Sequence, residues 1–533
     1  MSLRDDIRAS LPSQLPQFLT NQRWFRGKAR EIRSTKVVDV VALENNQFEA
    51  FVLLVRVEYA SGSDETYILP MTSVAHMTSP PPNDISFLVA RNSEHNKEVI
   101  LTDASQNETF LLWLLDAIEA QNIQPGISGQ IRAEHTNIFQ KLRSGSRDGP
   151  HPVLMKGEQS NTSINYGDRF ILKLFRHLEE GINPDLEIGL FLTEKSHFRN
   201  VARVAGSLFY HAGDREPTTL GILQEFIPNQ GDAWRFTMGA LSGFWEQVSA
   251  YSKGPPAGSA TEGSGLPYDH DTPSLAIAWI GPYLDAIGLL GRRTSELHLA
   301  LASDLSHSAF APEAYTPSLH GEFENSAREM TERNLALLRT KLHELPDEMR
   351  DYASGLLGRK DQILEQLQST LDIRNGGMRI RIHGDYHLGQ VLYTGSDFVV
   401  IDFEGEPMRS LSERRIKRSP LQDVASMLRS FHYAAFAQLL APLAESAPPK
   451  DFRALAPWAN IWYKWVTARF LNTYLKNANS TAFLPPGRKE ISAILKLYLL
   501  EKAIYELGYE LNNRPAWVAI PLAGISGLLD QSV

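Results

Sequence analysis

The stretch Arg379–Pro407, RIRIHGDYHLGQVLYTGSDFVVIDFEGEP, reads as two β-runs about a turn at Gly395-Ser396, with an acid at the outer end of each. Asp385 follows an apolar strand ending at Ile382, and Asp402 closes a strand running from Phe398 to Ile401. A hairpin would bring the two acids to one end. An Asp after a strand is ordinarily a turn or cap residue, so the meaning lies in the spacing of Asp385, Gln390 and Asp402. Phosphoryl transfer asks little covalent chemistry of a protein; it needs an aligned acceptor hydroxyl and cations that neutralise the phosphate oxygens. In that pattern Asp385 accepts the hydroxyl proton and Asp402 holds Mg²⁺. Gln390, five residues after the first acid, offers a hard amide oxygen to the same ion. His383 reads as a residue that orients the loop.

Such a site needs an upstream nucleotide half, and one is present. Ser160, Asn161, Thr162 and Ser163 read as a polar turn between strands whose N–H groups and hydroxyls cover phosphates, without a Walker loop or a GxGxxG pattern. Lys173 follows inside an apolar strand, where an unpaired ammonium is costly. Asn183-Pro184-Asp185 is a good helix start, with Asn as N-cap and Pro at the first position, and Glu187 in its first turns is expected to point back at Lys173. The plainer alternative is a lysine snorkelling from an edge strand. Leu223–Pro228, LQEFIP, ends a strand at a proline and suits a hinge that hydrogen-bonds adenine through the Glu225 carbonyl and the Ile227 N–H; an ordinary strand end would look similar.

The rest of the chain frames these segments. With 533 residues, 43% hydrophobic and 22% charged, it exceeds one usual domain and has an ordinary globular composition. A formal net charge of -9 argues against a general nucleic-acid binder. The one dense basic run, Arg414, Arg415, Lys417 and Arg418, reads as a solvated surface loop, or more sharply as a phosphate contact. The absence of cysteine excludes disulfides, thiolate catalysis and cysteine-bound metal. The opening MSLRDDIRASLPSQLP lacks the apolar core of a secretion signal, and no apolar run approaches the ~20 residues that cross a bilayer. A cytoplasmic protein without membrane partners is the expectation.

Residues 1–104 alternate β-rich runs with turns and read as an N-terminal β-rich cap domain; Pro80-Pro81-Pro82 reads as a stiff break. Residues 105–230 read as a nucleotide-binding lobe. It opens with an amphipathic helix from Glu108 to Ala120 that carries Leu111, Leu112, Leu115 and Ile118 on one side, and it contains a two-residue hairpin turn at Gly167-Asp168. Residues 231–533 read as a mostly helical lobe interrupted by a loop at Gly254–Pro273. Near its end Ile494, Leu497, Leu500, Ile504, Leu507 and Leu511 mark one face of a long helix that stops at Asn512-Asn513-Arg514-Pro515.

Together HGDYHLGQVLY, VIDFEGEP, SPLQDVASMLRSF, LGRRTSELHLALA and YELNNRPAWVAIPL resemble the bacterial maltokinases, including the kinase parts fused to trehalose synthases. The resemblance runs from Gln22-Arg23-Trp24-Phe25-Arg26-Gly27-Lys28 to Ile525. It implies an α+β, bilobal protein-kinase-like (aminoglycoside-phosphotransferase-like) fold, and transfer of the ATP γ-phosphate to the anomeric 1-OH of maltose for α-glucan synthesis. It also implies Asp385 as base, Gln390 and Asp402 as Mg²⁺ ligands, Lys173 and Glu187 as the nucleotide ion pair, and a trehalose synthase as a candidate partner. Sugar contacts are expected among His387, Glu404, Glu406, Tyr505 and Trp517, with core packing the alternative for the last two. Two rivals stand: a glucosamine kinase or related aminosugar kinase, and a nucleotide-binding regulatory protein without turnover.

Overall fold

The computed structural model describes every residue except 1, 46–47, 75–86, 93–96, 145–150, 156–159, 252–273, 369–375, 445–451, 480 and 531–533. The proline break at 80–82 and the loop at 254–273 therefore lie outside the described residues. The chain forms two compact units, one of residues 1–195 and 202–228, the other of residues 196–201 and 229–533.

The first unit is built on two antiparallel sheets. β1 (Ile32–Asn45), β2 (Phe48–Tyr59), β3 (Glu65–Val74), β4 (Phe87–Asn92) and β5 (Lys97–Asp103) form one in the order β1-β2-β3-β5-β4. The second contains β6 (Ile123–Pro125), β7 (Gln130–His135), β8 (Pro152–Leu154), β9 (Asn161–Tyr166), β10 (Phe170–Phe175), β12 (Val204–His211) and β13 (Thr218–Glu225). Its order is β6-β7-β12-β13-β10-β9-β8. A two-residue strand the sequence did not announce, β11 (His177–Leu178), leaves the second sheet after β10 and pairs with β3 of the first.

Helix α1 (Glu108–Glu119) starts where the Asn107 side chain accepts the Phe110 N–H. Its apolar stripe is Leu111, Leu114, Leu115 and Ile118; Leu112 lies about 100° off that stripe and is only half-buried, a correction to the expected face. The stripe enters a single core with Val41, Leu43 and Leu54 of the first sheet and Leu172, Leu208 and Ile222 of the second. The β9–β10 connection has three residues, Gly167–Arg169, rather than two, because Tyr166 pairs with Phe170.

The second unit is mainly helical. Among its helices are α3 (Tyr283–Leu301), α4 (Leu421–Ala444), α5 (Phe452–Asn477) and α6 (Arg488–Asn513), while α2 (Pro184–Glu194) belongs to the first unit. All six apolar residues expected on the face of the last long helix are buried in α6, which ends at Asn513 ahead of Pro515. Among the described residues four short strands interrupt the helices: β14 (Glu313–Ala314), β15 (Met378–Arg379), β16 (Val391–Tyr393) and β17 (Phe398–Val400). β16 and β17 form the hairpin expected about Gly395-Ser396.

Candidate active site

The residues around Asp385 rest on irregular backbone held by buried side chains. The expected strand up to Ile382 is much shorter: β15 pairs with β14 and Ile380 adds one bridge to Arg418. Beyond it the chain turns, and the N–H groups of His383 and Gly384 donate to the two oxygens of Asp423, at 2.8 and 2.9 Å. Asp423, at the start of α4, is 1% exposed and also faces His298 Nε2 at 3.2 Å. A buried carboxylate thus takes the place of a strand ladder.

His383 ties this turn to the hairpin. Its Nδ1 lies 3.3 Å from the Asp385 N–H, which can only donate, and its Nε2 lies 2.9 Å from the Ile401 carbonyl, which can only accept. The ring is therefore neutral with its proton on Nε2. Gly384 and Gly405 both have positive φ, and a Cβ on Gly384 would stand 3.2 Å from the Gly405 Cα. Only glycine lets these two backbones approach so closely.

Gln390 ends a 3₁₀ turn, Leu388–Gln390, capped by the His387 side chain, whose Nδ1 accepts the Gly389 N–H at 3.0 Å. The Gln390 amide donates to Asp402 Oδ2 at 3.0 Å, and the Gln390 carbonyl accepts the Ile401 N–H at 3.1 Å. Asp402 has φ +66°, a left-handed conformation that costs a non-glycine residue about 1–2 kcal/mol. That conformation turns its carboxylate toward Gln390. The side-chain oxygens of Gln390 and Asp402, both half-buried, are hard donors of the kind Mg²⁺ takes from a protein before phosphate and water complete its shell.

Asp385 is ringed by basic groups. His387 Nε2 lies 3.8 Å from one carboxylate oxygen and Lys502 Nζ 3.9 Å from the other. Burial lowers the pKa of His387, against the opposing pull of Asp385. Burial would also lower that of Lys502, but Glu406, Asp385, Glu506 and Glu501 together outweigh it and hold the ammonium above its ordinary value. Lys502 Nζ also lies 4.7 Å from the Tyr505 ring centroid, and burial, with Glu406 adding to it, raises the pKa of the half-buried Tyr505 hydroxyl. Trp517 is half-buried with the Arg514 guanidinium over its ring at 5.0 Å, away from a sealed core. The Glu404 carbonyl accepts from Arg414 at 3.1 Å.

The basic run is not the solvated loop expected. Lys417 is 7% exposed, with its ammonium 2.7 Å from Glu313 and 2.6 Å from the Ser308 carbonyl. Arg418 exchanges two 2.9 Å backbone hydrogen bonds with Ile380; burial first, then Arg409, lowers its pKa to about 10. Arg414 donates to the Glu404 and Arg409 carbonyls. Arg414 thus braces the segment after Asp402, while Lys417 and Arg418 tie the run to Glu313, Ser308 and Ile380.

In the first unit, Lys173 is 8% exposed on β10, and its ammonium is 3.6 Å from Asp185 Oδ2 in the first turn of α2. The sequence points to Glu187, two residues further on in the same first turn and half-buried, and does not single out Asp185. Pro184 at the first helical position sets both acids in that turn. Asn161, Thr162 and Ser163 do not form a turn. They are buried within β9 as the first half of a hairpin with β10, Ser163 directly opposite Lys173, while Ser160 precedes the strand. The Thr162 hydroxyl accepts from Arg176 Nε at 2.7 Å. Arg176 also holds Asp103 at 2.9 Å and lies over Trp24 at 5.0 Å, so it links β9 to the QRWFRGK segment. At the expected hinge, the Glu225 carboxylate takes two hydrogen bonds from Arg203, at 2.6 and 2.7 Å, and the first unit ends at Pro228.

Sequence reading overlooked Asp423, Asp185 and Lys502. Asp423 was hidden because its partners lie some forty residues upstream in sequence. Lys502 was legible as a lysine one helical turn before Tyr505, on the same side of α6.

Residues 18–106 match the maltokinase N-terminal cap domain family. Over 418 residues, 78% of this chain and 87% of the relative, the sequence is 25% identical to a glucosamine kinase of Mycolicibacterium smegmatis. A shorter match, 24% over 169 residues, reaches a glucosamine kinase of Streptacidiphilus jiangxiensis and covers 32% of this chain and 36% of that one. A solved structure titled as glucosamine kinase in complex with glucosamine, ADP and inorganic phosphate superposes with a TM-score of 0.63 at 16% identity, covering 98% of both chains. The fold is thus that of a kinase-like phosphotransferase, α+β, with a β-rich N-terminal region and a mainly helical remainder.

Proposed function

We propose that this protein transfers the γ-phosphate of ATP to the anomeric 1-OH of maltose, giving maltose 1-phosphate. The observation that carries phosphoryl transfer is the turn that Asp423 holds, which gathers Asp385, Gln390 and Asp402 about His383 and His387. The match of residues 18–106 to the maltokinase cap supports maltose. The glucosamine kinase relatives support the second reading, an aminosugar kinase, about equally.

In this reading the acceptor oxygen forms a bond to the γ-phosphorus, the bond from that phosphorus to the β–γ bridging oxygen breaks, and ADP leaves. The hydroxyl proton passes to Asp385, whose carboxylate lies 3.9 Å from the Lys502 ammonium. Gln390 and Asp402 would hold Mg²⁺, which neutralises phosphate oxygens when bound. Lys173, braced by Asp185, and Ser160, ahead of β9, are assigned to the nucleotide phosphates, with adenine at Glu225 and Ile227. Residues 1–104, 105–230 and 231–533 are assigned as cap, nucleotide lobe and acceptor lobe.

The test is ADP release with ATP and Mg²⁺ across maltose, glucose, glucosamine and an aminoglycoside, with the phosphorylated carbon identified by NMR. Maltose is expected to give the highest kcat/KM. Activity with glucosamine and not maltose overturns the substrate and leaves the transfer; no ADP release with any sugar overturns both.

A further inference from the structure

We infer that Lys502 makes the acceptor side select a neutral sugar over an aminosugar, by standing among the carboxylates where the ammonium of an aminosugar would otherwise sit. The inference rests on the proposed role of Asp385 and names the acceptor class of that same site.

Four carboxylates act on the Lys502 ammonium: Glu406, Asp385, Glu506 and Glu501. Glu506 is already committed to Arg429, which donates to one of its oxygens from Nε at 2.9 Å and Nη2 at 2.6 Å. That leaves Asp385, Glu406 and Glu501 around a lysine whose side chain is 20% exposed and 3.9 Å from the proposed base. Arg409 stands 4.0 Å from Glu406 on the other side. The Tyr505 ring lies beside the ammonium, its centroid 4.7 Å from Nζ. The ammonium therefore stands between the Tyr505 ring, 4.7 Å away, and Asp385, 3.9 Å away, the group that would take the acceptor's proton.

Removing Lys502 would leave a half-buried acidic pocket, which favours a cationic guest. With it in place part of that acidic charge is offset, and an incoming ammonium meets, 3.9 Å from Asp385, a like charge that water screens poorly. Specificity here would come from repulsion of the wrong acceptor rather than from an added contact to the right one.

The experiment compares the full-length protein with Lys502→Met and Lys502→Arg, using glucose and glucosamine as acceptors of equal size and different charge, at a pH where glucosamine is protonated. The wild type is expected to prefer glucose, Lys502→Met to raise the glucosamine-to-glucose ratio of kcat/KM about tenfold or more, and Lys502→Arg to keep the wild-type ratio. If Lys502→Met loses turnover, the ratio is read instead from sugar-dependent shifts in melting temperature. A wild type that prefers glucosamine, or a ratio that Lys502→Met leaves unmoved in a folded protein, overturns the inference while the transfer reaction stands. A wild type inert to every sugar overturns the transfer reading and this inference with it.

Discussion

Lys173 and Asp385 are positioned by opposite means. Lys173 sits in a regular strand, in register with Ser163 on one side and Ile222 on the other, so the sheet ladder fixes its place. Asp385 sits in a turn that has no ladder. It depends on Asp423 for the backbone before it, on His383 for the hairpin beside it, and on Asp402 accepting a left-handed backbone. A strand position tolerates change in its neighbours because many backbone bonds share the constraint. A side-chain-held turn concentrates it in two or three groups, each of which is expensive to lose.

The largest expected effect is at the turn itself. Asp385→Asn should lower kcat by about 10²- to 10⁴-fold with ATP binding retained, measured by steady-state ADP release and nucleotide titration. An unchanged kcat would remove Asp385 from the chemistry. Asp423→Ala should come next, because it strands two buried N–H donors at about 1–3 kcal/mol each. Both kcat and the midpoint of urea unfolding should fall, although this side chain touches neither sugar nor nucleotide in the proposed reaction. A drop in stability with kcat intact would show that Asp385 holds its place without it.

On the strand side the effect should be smaller and should fall on a different constant. Lys173→Met is expected to raise the KM for ATP by roughly 10- to 100-fold, the worth of a charge-assisted bond of about 1.5–3 kcal/mol, with little change in the KM for sugar. Equal shifts in both constants would mean that the lysine is structural. The smallest effect concerns pH. Burial pushes the Asp397 carboxyl up, but the Arg293 guanidinium, at 2.7 and 2.9 Å, outweighs it and holds the group below the usual carboxylate range. A depressed native pKa adds stability above the unfolded value of about 3.9 and loses it as the pH falls through the native one. The acid limb of the melting temperature below about pH 4 should therefore flatten in Arg293→Met, and an unaltered limb would mean that the pair at the hairpin carries no pH-dependent stability.

Much of this was legible in advance where local pattern decides structure. The hairpin of β16 and β17, the α6 stripe and the start of α2 at Asn183-Pro184 all follow from periodicity and capping, which act over a few residues. The polar run 160–163 misled because Asn, Thr and Ser favour turns in isolation. Here Thr162 is tied to Arg176 and the strand pairs along its whole length with β10, so the sheet overrode the local preference. The basic run from Arg414 to Arg418 misled in the same way. Charge alone suggests solvent, whereas the carboxylate of Glu313, a hundred residues upstream, draws Lys417 inward.

By itself the sequence determined the chemical vocabulary: two acids and an amide at a spacing suited to phosphate and metal, and a lysine in an apolar strand. The tertiary structure alone decided which groups hold that vocabulary in place, since Asp423, Asp185 and Lys502 act through space on partners fixed only once distant helices pack. Charge interactions depend on distance and burial, and neither is written in the order of residues along a chain.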